Sequence, residues 1–168
     1  MAVREGSALH VVLVEPEIHW NTGNAGRTCL AVGAQLHLIR PLGFFLTDRK
    51  VRRAGLDYWA RVNPRVWDRW EDFESALPEL GEPFLFSAEA DRDYWSVRYP
   101  ERTVLIFGRE SLGLGPEIRL RHRDRLVRIP MQDEGIRSLN LSTAVALGAY
   151  EVMRQWRGPT LPHPESPG

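Results

Sequence analysis

The sequence is poor in cysteine and has no excess of charge, and each shortage excludes a class of protein. Cys29 is the only cysteine in 168 residues, which excludes an intrachain disulfide or a cysteine-rich metal cluster and favours a reducing compartment. Lysine plus arginine and aspartate plus glutamate both total 22. The chain as a whole therefore has no net attraction to nucleic acid or to an anionic membrane. Any RNA partner must be bound by a local patch.

Long hydrophobic runs are also missing. The first apolar run, at 9–14, is too short to span a membrane and is followed by acidic residues without a small-residue cleavage pattern. We therefore expect a cytoplasmic protein without a membrane segment, and we predict no metal site. Hydrophobic residues at 43% are enough for one buried core. We predict a single domain over 1–158 and a disordered proline-rich tail over 159–168.

Short apolar runs rich in β-branched residues alternate with helical patterns. This alternation predicts an α/β fold, with a mostly parallel sheet flanked by helices. The predicted strands are 9–14, 35–40, 83–87, 103–108 and 125–130. The predicted helices are 23–33, 71–80 and 140–157.

Glycine and polar residues follow three of these strands, at the sheet edge where parallel sheets bind ligands. In the first junction, "HWNTGNAGR", glycine lets the backbone approach a ligand, and asparagine, as at Asn21, tolerates turn conformations. We expect Arg27 in the first turn of the next helix. A cation there opposes the helix dipole, so an interaction with an anion or a developing negative charge becomes more plausible than a surface role.

The second junction, "IFGRESLGLGPEI", places Gly108 where backbone can pass close to a flat ligand. The glycine spacing does not match a dinucleotide-binding motif. Glu110 is open to two interpretations, a helix cap or a partner for an arginine.

In the third junction, "RIPMQDEGIRSLNLSTAVALGAYE", either Ser138 or Asn140 can cap the last helix. The apolar "IPM" and the donors of "SLN" suit an adenine ring.

Together, "NTGNAGR", "FGRESLGL" and "IPMQDEGIRSLNLSTAVALGAYE" resemble the three motifs of the SPOUT class of RNA methyltransferases. With "EPEIHWNTGNAGR" and "RRAGLDYW" (52–59), the chain is similar to the small tRNA wobble-ribose methyltransferase family over residues 9 to 157. His19 and Trp20 depart from this pattern, because relatives often carry proline-like residues there.

The resemblance implies a C-terminal trefoil knot, S-adenosylmethionine as cofactor, and a homodimer with the cofactor site near the interface. It also implies 2′-O-methylation of the ribose at position 34 of tRNA, on cytidine or uridine. By position, the cofactor pocket would comprise Phe86, Gly108, Ile129, Met131, Ser138 and Leu139.

The resemblance further implies catalytic roles for Arg27, Asn21, Glu110, Ser138 and Asn140. Arginine keeps its proton at ordinary pH, so Arg27 is expected to orient the nucleotide and stabilise negative charge on the 2′-oxygen. Asn21 would hold the loop or Arg27, and Glu110 would orient basic groups. Ser138 and Asn140 would shape the cofactor and ribose pockets.

The tRNA anticodon arm is the expected partner. The basic stretches 48–53 and 119–128 are candidate phosphate sites or solvated charged faces. Trp20, Tyr58 and Trp59 are candidates for stacking on an unpaired base, or for burial in the core or a dimer interface. Two other functions stay open: 2′-O-methylation at another tRNA or rRNA position, and a dimer that binds RNA without catalysis.

Overall fold

The computed structural model describes residues 6–46 and 58–157, which form one α/β unit. The strands are β1 (Ala8–Val14), β2 (Gln35–Ile39), β3 (Arg65–Trp67), β4 (Glu82–Phe86), β5 (Arg102–Phe107) and β6 (Leu126–Val127). The helices are α1 (His19–Val32), α2 (Trp59–Val62), α3 (Trp70–Leu80), α4 (Pro116–Arg121) and α5 (Leu141–Arg157).

All pairings between these strands are parallel, in the order β3-β2-β1-β5-β4-β6. The predicted fold class is therefore confirmed. Helices α1 and α5 pack against each other, and α3 contacts the strands through a separate apolar cluster. Strands β1 and β5 are almost wholly buried, which explains why their sequences are continuous apolar runs. The trefoil knot implied by the resemblance stays a prediction.

Most predicted elements match to within a residue or two, and three short ones were missed. β3, α2 and α4 have three, four and six residues, too few for a periodic pattern to indicate them. The predicted strand 125–130 is wrong in length, because β6 covers only Leu126–Val127. Beyond it, Arg128 forms an isolated bridge with Asp93, and Pro130 has no N–H to donate to a sheet.

The largest correction concerns the start of α1. The helix begins at His19, not at residue 23, so Asn21 and the glycines after it are helical and do not form a turn. Arg27 lies in the third turn, and the argument from the helix dipole at the first turn is wrong. Gly26 is needed for packing, since a Cβ there would lie 3.0 Å from the Trp59 ring.

Cys29 lies inside the main core, as its lone occurrence suggests. It is buried between α1 and the sheet, and burial raises the pKa of its thiol to about 12. A neutral buried thiol is a poor nucleophile, so Cys29 serves as core packing.

A chain of hydrogen bonds crosses the core beneath α3. The Trp67 indole N–H donates to His37 Nδ1 at 3.0 Å, and His37 Nε2 lies 2.9 Å from His10 Nδ1. Because Nδ1 of His37 accepts, Nε2 carries the proton and donates to His10. Burial, followed by His10 and Arg65, lowers the pKa of His37 to about 3; burial, with Arg102 and Arg65, also lowers the pKa of His10.

These two histidines should make the protein sensitive to acid. The folded state holds His37 neutral, whereas the unfolded chain takes up a proton below pH 6.5, the ordinary value. The contribution of neutral His37 to the free energy of unfolding is therefore fully present above pH 6.5. It should fall as the pH decreases towards 3, by up to about 1.4 kcal/mol per pH unit from His37 alone. Denaturant unfolding at several pH values measures this slope. In a His37→Gln variant the slope should become shallower, and an unchanged slope would contradict this assignment.

Some sequence predictions lie outside the described residues: the basic stretch 48–53, most of "RRAGLDYW" and the tail 159–168. Among the described helices, none has the length and apolarity needed to cross a bilayer.

Candidate functional site

A cavity of about 610 Å³ opens at the carboxyl ends of β4 and β5, beside the start of α1. Here the strand order reverses direction, since β1 pairs with β2 on one side and β5 on the other, as in ligand-binding crevices of open α/β sheets. The lining includes every predicted cofactor residue: Phe86, Gly108, Ile129, Met131, Ser138 and Leu139. It also includes four of the five predicted catalytic residues: Asn21, Glu110, Ser138 and Asn140.

One wall of the cavity is apolar. The Phe86 and Phe107 rings stack with centroids 4.4 Å apart at the ends of neighbouring strands. α5 packs directly onto them through Gly148, where a Cβ would lie 2.9 Å from the Phe86 ring. Ile129 and Met131 extend this wall along the segment after β6. Such a surface suits a flat, weakly polar ring.

The opposite side is polar and is organised by Glu110. Its carboxylate accepts hydrogen bonds from the backbone N–H of Glu17 at 2.8 Å and of Ile18 at 3.1 Å, and from the side chain of Asn21 at 3.2 Å. Ile18 is the N-cap of α1 and has no side chain that could cap it, so Glu110 supplies the negative charge that a helix start favours. These bonds support the helix-cap interpretation of Glu110. The described residues give it no basic partner, and its role in orienting basic groups stays a prediction.

Asn140 joins this network to the last helix. Its side-chain oxygen accepts from the N–H of Ser142 at 3.0 Å, which makes Asn140, rather than Ser138, the N-cap of α5. Its amide donates to Asn21 Oδ1 at 3.0 Å. Asn21 therefore connects Glu110 and Asn140, and all three sequence junctions meet at one point. Ser138 stays exposed at the rim.

Two further contacts, which the sequence did not predict, fasten the segment after β1 to the loop after β5. Glu17 accepts from the Ser111 hydroxyl at 2.7 Å and N–H at 2.9 Å. The Ser111 bonds, with Arg109 nearby, hold the pKa of Glu17 below its ordinary value. Arg109 pairs with Glu15 at 3.3 Å. The only signal in the sequence was the "EPE" directly after a strand.

Gly108 lines the cavity, so its close approach to a flat ligand stays a prediction, and the structure shows a second reason for the glycine. A Cβ at this position would overlap the carbonyl carbon of Gly113 and the amide nitrogen of Leu114. The loop closes on itself there, with the Gly113 N–H bonded to the Arg109 carbonyl at 2.8 Å. The missing side chain therefore allows one backbone segment to approach another.

Arg27 does not line the cavity of its own chain. Its side chain is exposed, and its guanidinium lies 5.8 Å from the centre of the Tyr58 ring, a cation–π distance. The structure thus brings together the predicted cofactor residues and the polar network but leaves the predicted catalytic cation outside the cavity of the same chain.

The basic stretch 119–128 is neutralised by carboxylates. Such pairing reduces the local positive charge, so the stretch is a weak candidate for phosphate binding. The pairs are Arg119 with Glu89, Arg121 and His122 with Glu74, Arg123 with Asp124, Arg125 with Glu82, and Arg128 with Asp93.

Comparison with known proteins assigns this site to a family. The sequence profile of the SpoU rRNA methylase family matches residues 8–150, nearly the whole described chain. The chain belongs to the SpoU methylase family. The resemblance drawn from the three motifs is therefore confirmed.

Three similar proteins each match most of this chain. A tRNA (cytidine(34)-2′-O)-methyltransferase of Burkholderia pseudomallei is 44% identical over 87% of this chain and 94% of its own. A structure from a study of 2-OH methylation of C/U34 on tRNA is 46% identical, covers 91% of this chain and 99% of its own, and has a TM-score of 0.86. An AdoMet-bound rRNA methyltransferase from Sinorhizobium meliloti is 25% identical over 90% of this chain and 57% of its own, with a TM-score of 0.72.

Proposed function

We propose that this SpoU methylase transfers a methyl group from S-adenosylmethionine to the ribose 2′-hydroxyl of nucleotide 34 of tRNA, on cytidine or uridine. The observation that carries this proposal is the convergence of three distant segments on one cavity through the Glu110–Asn21–Asn140 network. Near full-length relatives named for the same reaction at 44% and 46% identity support it.

The cavity fits S-adenosylmethionine in size and chemistry. Its volume of about 610 Å³ lies within the range for small-molecule sites. Phe86, Ile129, Met131 and Leu139 would hold the adenine, and the backbone around Gly108 and the Ser138 hydroxyl would supply polar contacts. When bound, S-adenosylmethionine supplies an electrophilic methyl group on a sulfonium sulfur.

The polar side of the cavity would hold the nucleotide. To accept a methyl group, the 2′-hydroxyl would give up its proton to solvent and develop negative charge on its oxygen, while the methyl–sulfur bond of the donor would break and S-adenosylhomocysteine would leave. Asn21 and Asn140 are joined by one hydrogen bond and held by others to Glu110 and Ser142, so they can orient the ribose without reorganisation. Glu110 acts by positioning, because its oxygens are occupied by α1 and Asn21.

Arg27 would stabilise the charge on the 2′-oxygen or a neighbouring phosphate. Because it lies outside the cavity of its own chain, we propose that a homodimer, with cofactor sites near the interface, places this guanidinium beside the partner's cavity. The anticodon arm would then span both subunits. The proposed location of the enzyme is the cytoplasm, where tRNA is modified.

Mass spectrometry of nucleosides tests the proposal. Purified tRNA from a strain lacking the gene should lose 2′-O-methylcytidine or 2′-O-methyluridine at position 34, and the purified enzyme with S-adenosylmethionine should restore it. Ribosomal RNA from the same strain is the control. Loss of a 2′-O-methyl group from rRNA with unchanged tRNA would contradict the wobble assignment in favour of another RNA target, and binding of tRNA without methylation would favour the non-catalytic alternative.

A further inference from the structure

One face of α1 is exposed along the length of the helix. Trp20, Asn24, Arg27 and Ala31 are exposed, whereas Asn21, Thr22, Gly23, Ala25 and Gly26 between them are buried. Trp20 and Arg27 are seven residues apart, so they point in nearly the same direction about 10 Å apart along the axis. We call Trp20, Asn24 and Arg27 the α1 outer face.

The chemistry of the outer face suits RNA. Trp20 is 56% exposed. Among the described residues, its ring contacts that of His19, with the ring centroids 5.0 Å apart. Arg27 forms no ion pair with a described residue and contacts the Tyr58 ring. An exposed indole, an amide and an exposed guanidinium are groups that stack on an unpaired base and bind sugar or phosphate.

The outer face begins at the cavity. Trp20 directly precedes Asn21 and is two residues after Ile18, and both of these line the cavity. A nucleobase is attached to the ribose that carries its 2′-hydroxyl, so a ribose inside the cavity keeps its base at the rim. Trp20 is therefore an exposed aromatic residue that adjoins cavity-lining residues in the chain.

We propose that Trp20 stacks on the base of the nucleotide whose ribose enters the cavity. This inference rests on the proposed function, since it requires an RNA substrate. Stacking accepts either pyrimidine, because every base has a π-face. Trp20 would thus bind substrate and add affinity without selecting between cytidine and uridine. The competing occupant of the outer face is a second copy of the chain.

The test uses an anticodon stem-loop RNA with fluorescent pyrrolocytidine at nucleotide 34, bound to the full-length protein with S-adenosylhomocysteine. Wild type should quench the fluorophore. Trp20→Ala should abolish quenching and raise the KM for RNA by about 5- to 100-fold, with the KM for S-adenosylmethionine unchanged. Trp20→Phe should restore most of both signals. Trp95→Ala is the matched control, because Trp95 is 54% exposed, lies beside the ring of Tyr94 and does not line the cavity.

Two outcomes would overturn the proposal. One is an unchanged RNA KM and fluorophore signal in Trp20→Ala. The other is that the Trp20→Ala variant has a lower molecular mass in solution than wild type, and that this loss of assembly explains its weaker RNA binding. Trp20 would then be assigned to the contact between subunits. The fluorescence measurement needs no turnover, so a wild type that binds and quenches but does not methylate would contradict the proposed function and leave the stacking assignment standing.

Discussion

Replacement of Arg27 by alanine is expected to lower kcat for methyl transfer by at least about 10²–10³-fold, the cost of removing a preorganised group that stabilises transition-state charge. Binding of S-adenosylmethionine should be retained, because Arg27 does not line the cavity of its chain. Stability should also be retained, since the side chain is exposed and forms no ion pair with a described residue.

Calorimetry with the cofactor and a radioactive methyl-transfer assay separate these effects. Arg98→Ala is a suitable control, because Arg98 is also exposed and lies in the loop before β5, away from the cavity. Normal turnover in Arg27→Ala would remove this residue from the mechanism. If the variant is inactive, mixing it with a chain defective in the cavity would show whether a guanidinium from one subunit serves the site of the other.

Gly108→Ala is expected to have the largest effect on the cofactor pocket. The new methyl group would overlap the backbone of Gly113 and Leu114, and backbone cannot move aside as a flexible side chain can. We expect a loss of about 3 kcal/mol or more in the free energy of unfolding. We also expect at least about a tenfold weaker binding of S-adenosylmethionine, equivalent to 1.4 kcal/mol, because Gly108 and its neighbours line the cavity.

Gly115→Ala is the matched control for this prediction. Gly115 lies in the same loop, has φ −59° and has open space around its Cβ position. Its replacement should cost at most about 1 kcal/mol, through the weaker N-cap that alanine gives α4. Denaturant unfolding and calorimetry measure both variants. Similar small effects at the two positions would show that the loop can open at Gly108 without harm.

The sequence was sufficient for the four longer strands β1, β2, β4 and β5, because their signal is local. Strands β1 and β5 are buried on both faces, and an uninterrupted run of apolar residues in the sequence indicates such burial. The start of α1 was missed for the opposite reason. Its cap, Glu110, lies 92 positions along the chain from Ile18, so no local capping residue marks the boundary, and the two glycines resemble a turn.

The candidate site was predictable only in part. The cofactor residues could be placed because the three motifs resemble those of a known family, and they converge on one cavity. The partners of Glu110 and the outward direction of Arg27 depend on helix phase and on contacts between distant segments. Shifting the start of α1 by four residues changes the turn to which Arg27 belongs, and periodicity alone cannot fix that boundary.

The hydrogen bonds from Asn140 through Asn21 to Glu110 join the ends of two helices to the loop between them. Ser138 and Leu139, at the cavity, immediately precede Asn140. A methyl donor that immobilises these residues would therefore also immobilise the first turn of α1. RNA that binds afterwards would lose less conformational entropy in ordering this surface. We expect heterotropic cooperativity between the two substrates, equal in both directions as linkage demands.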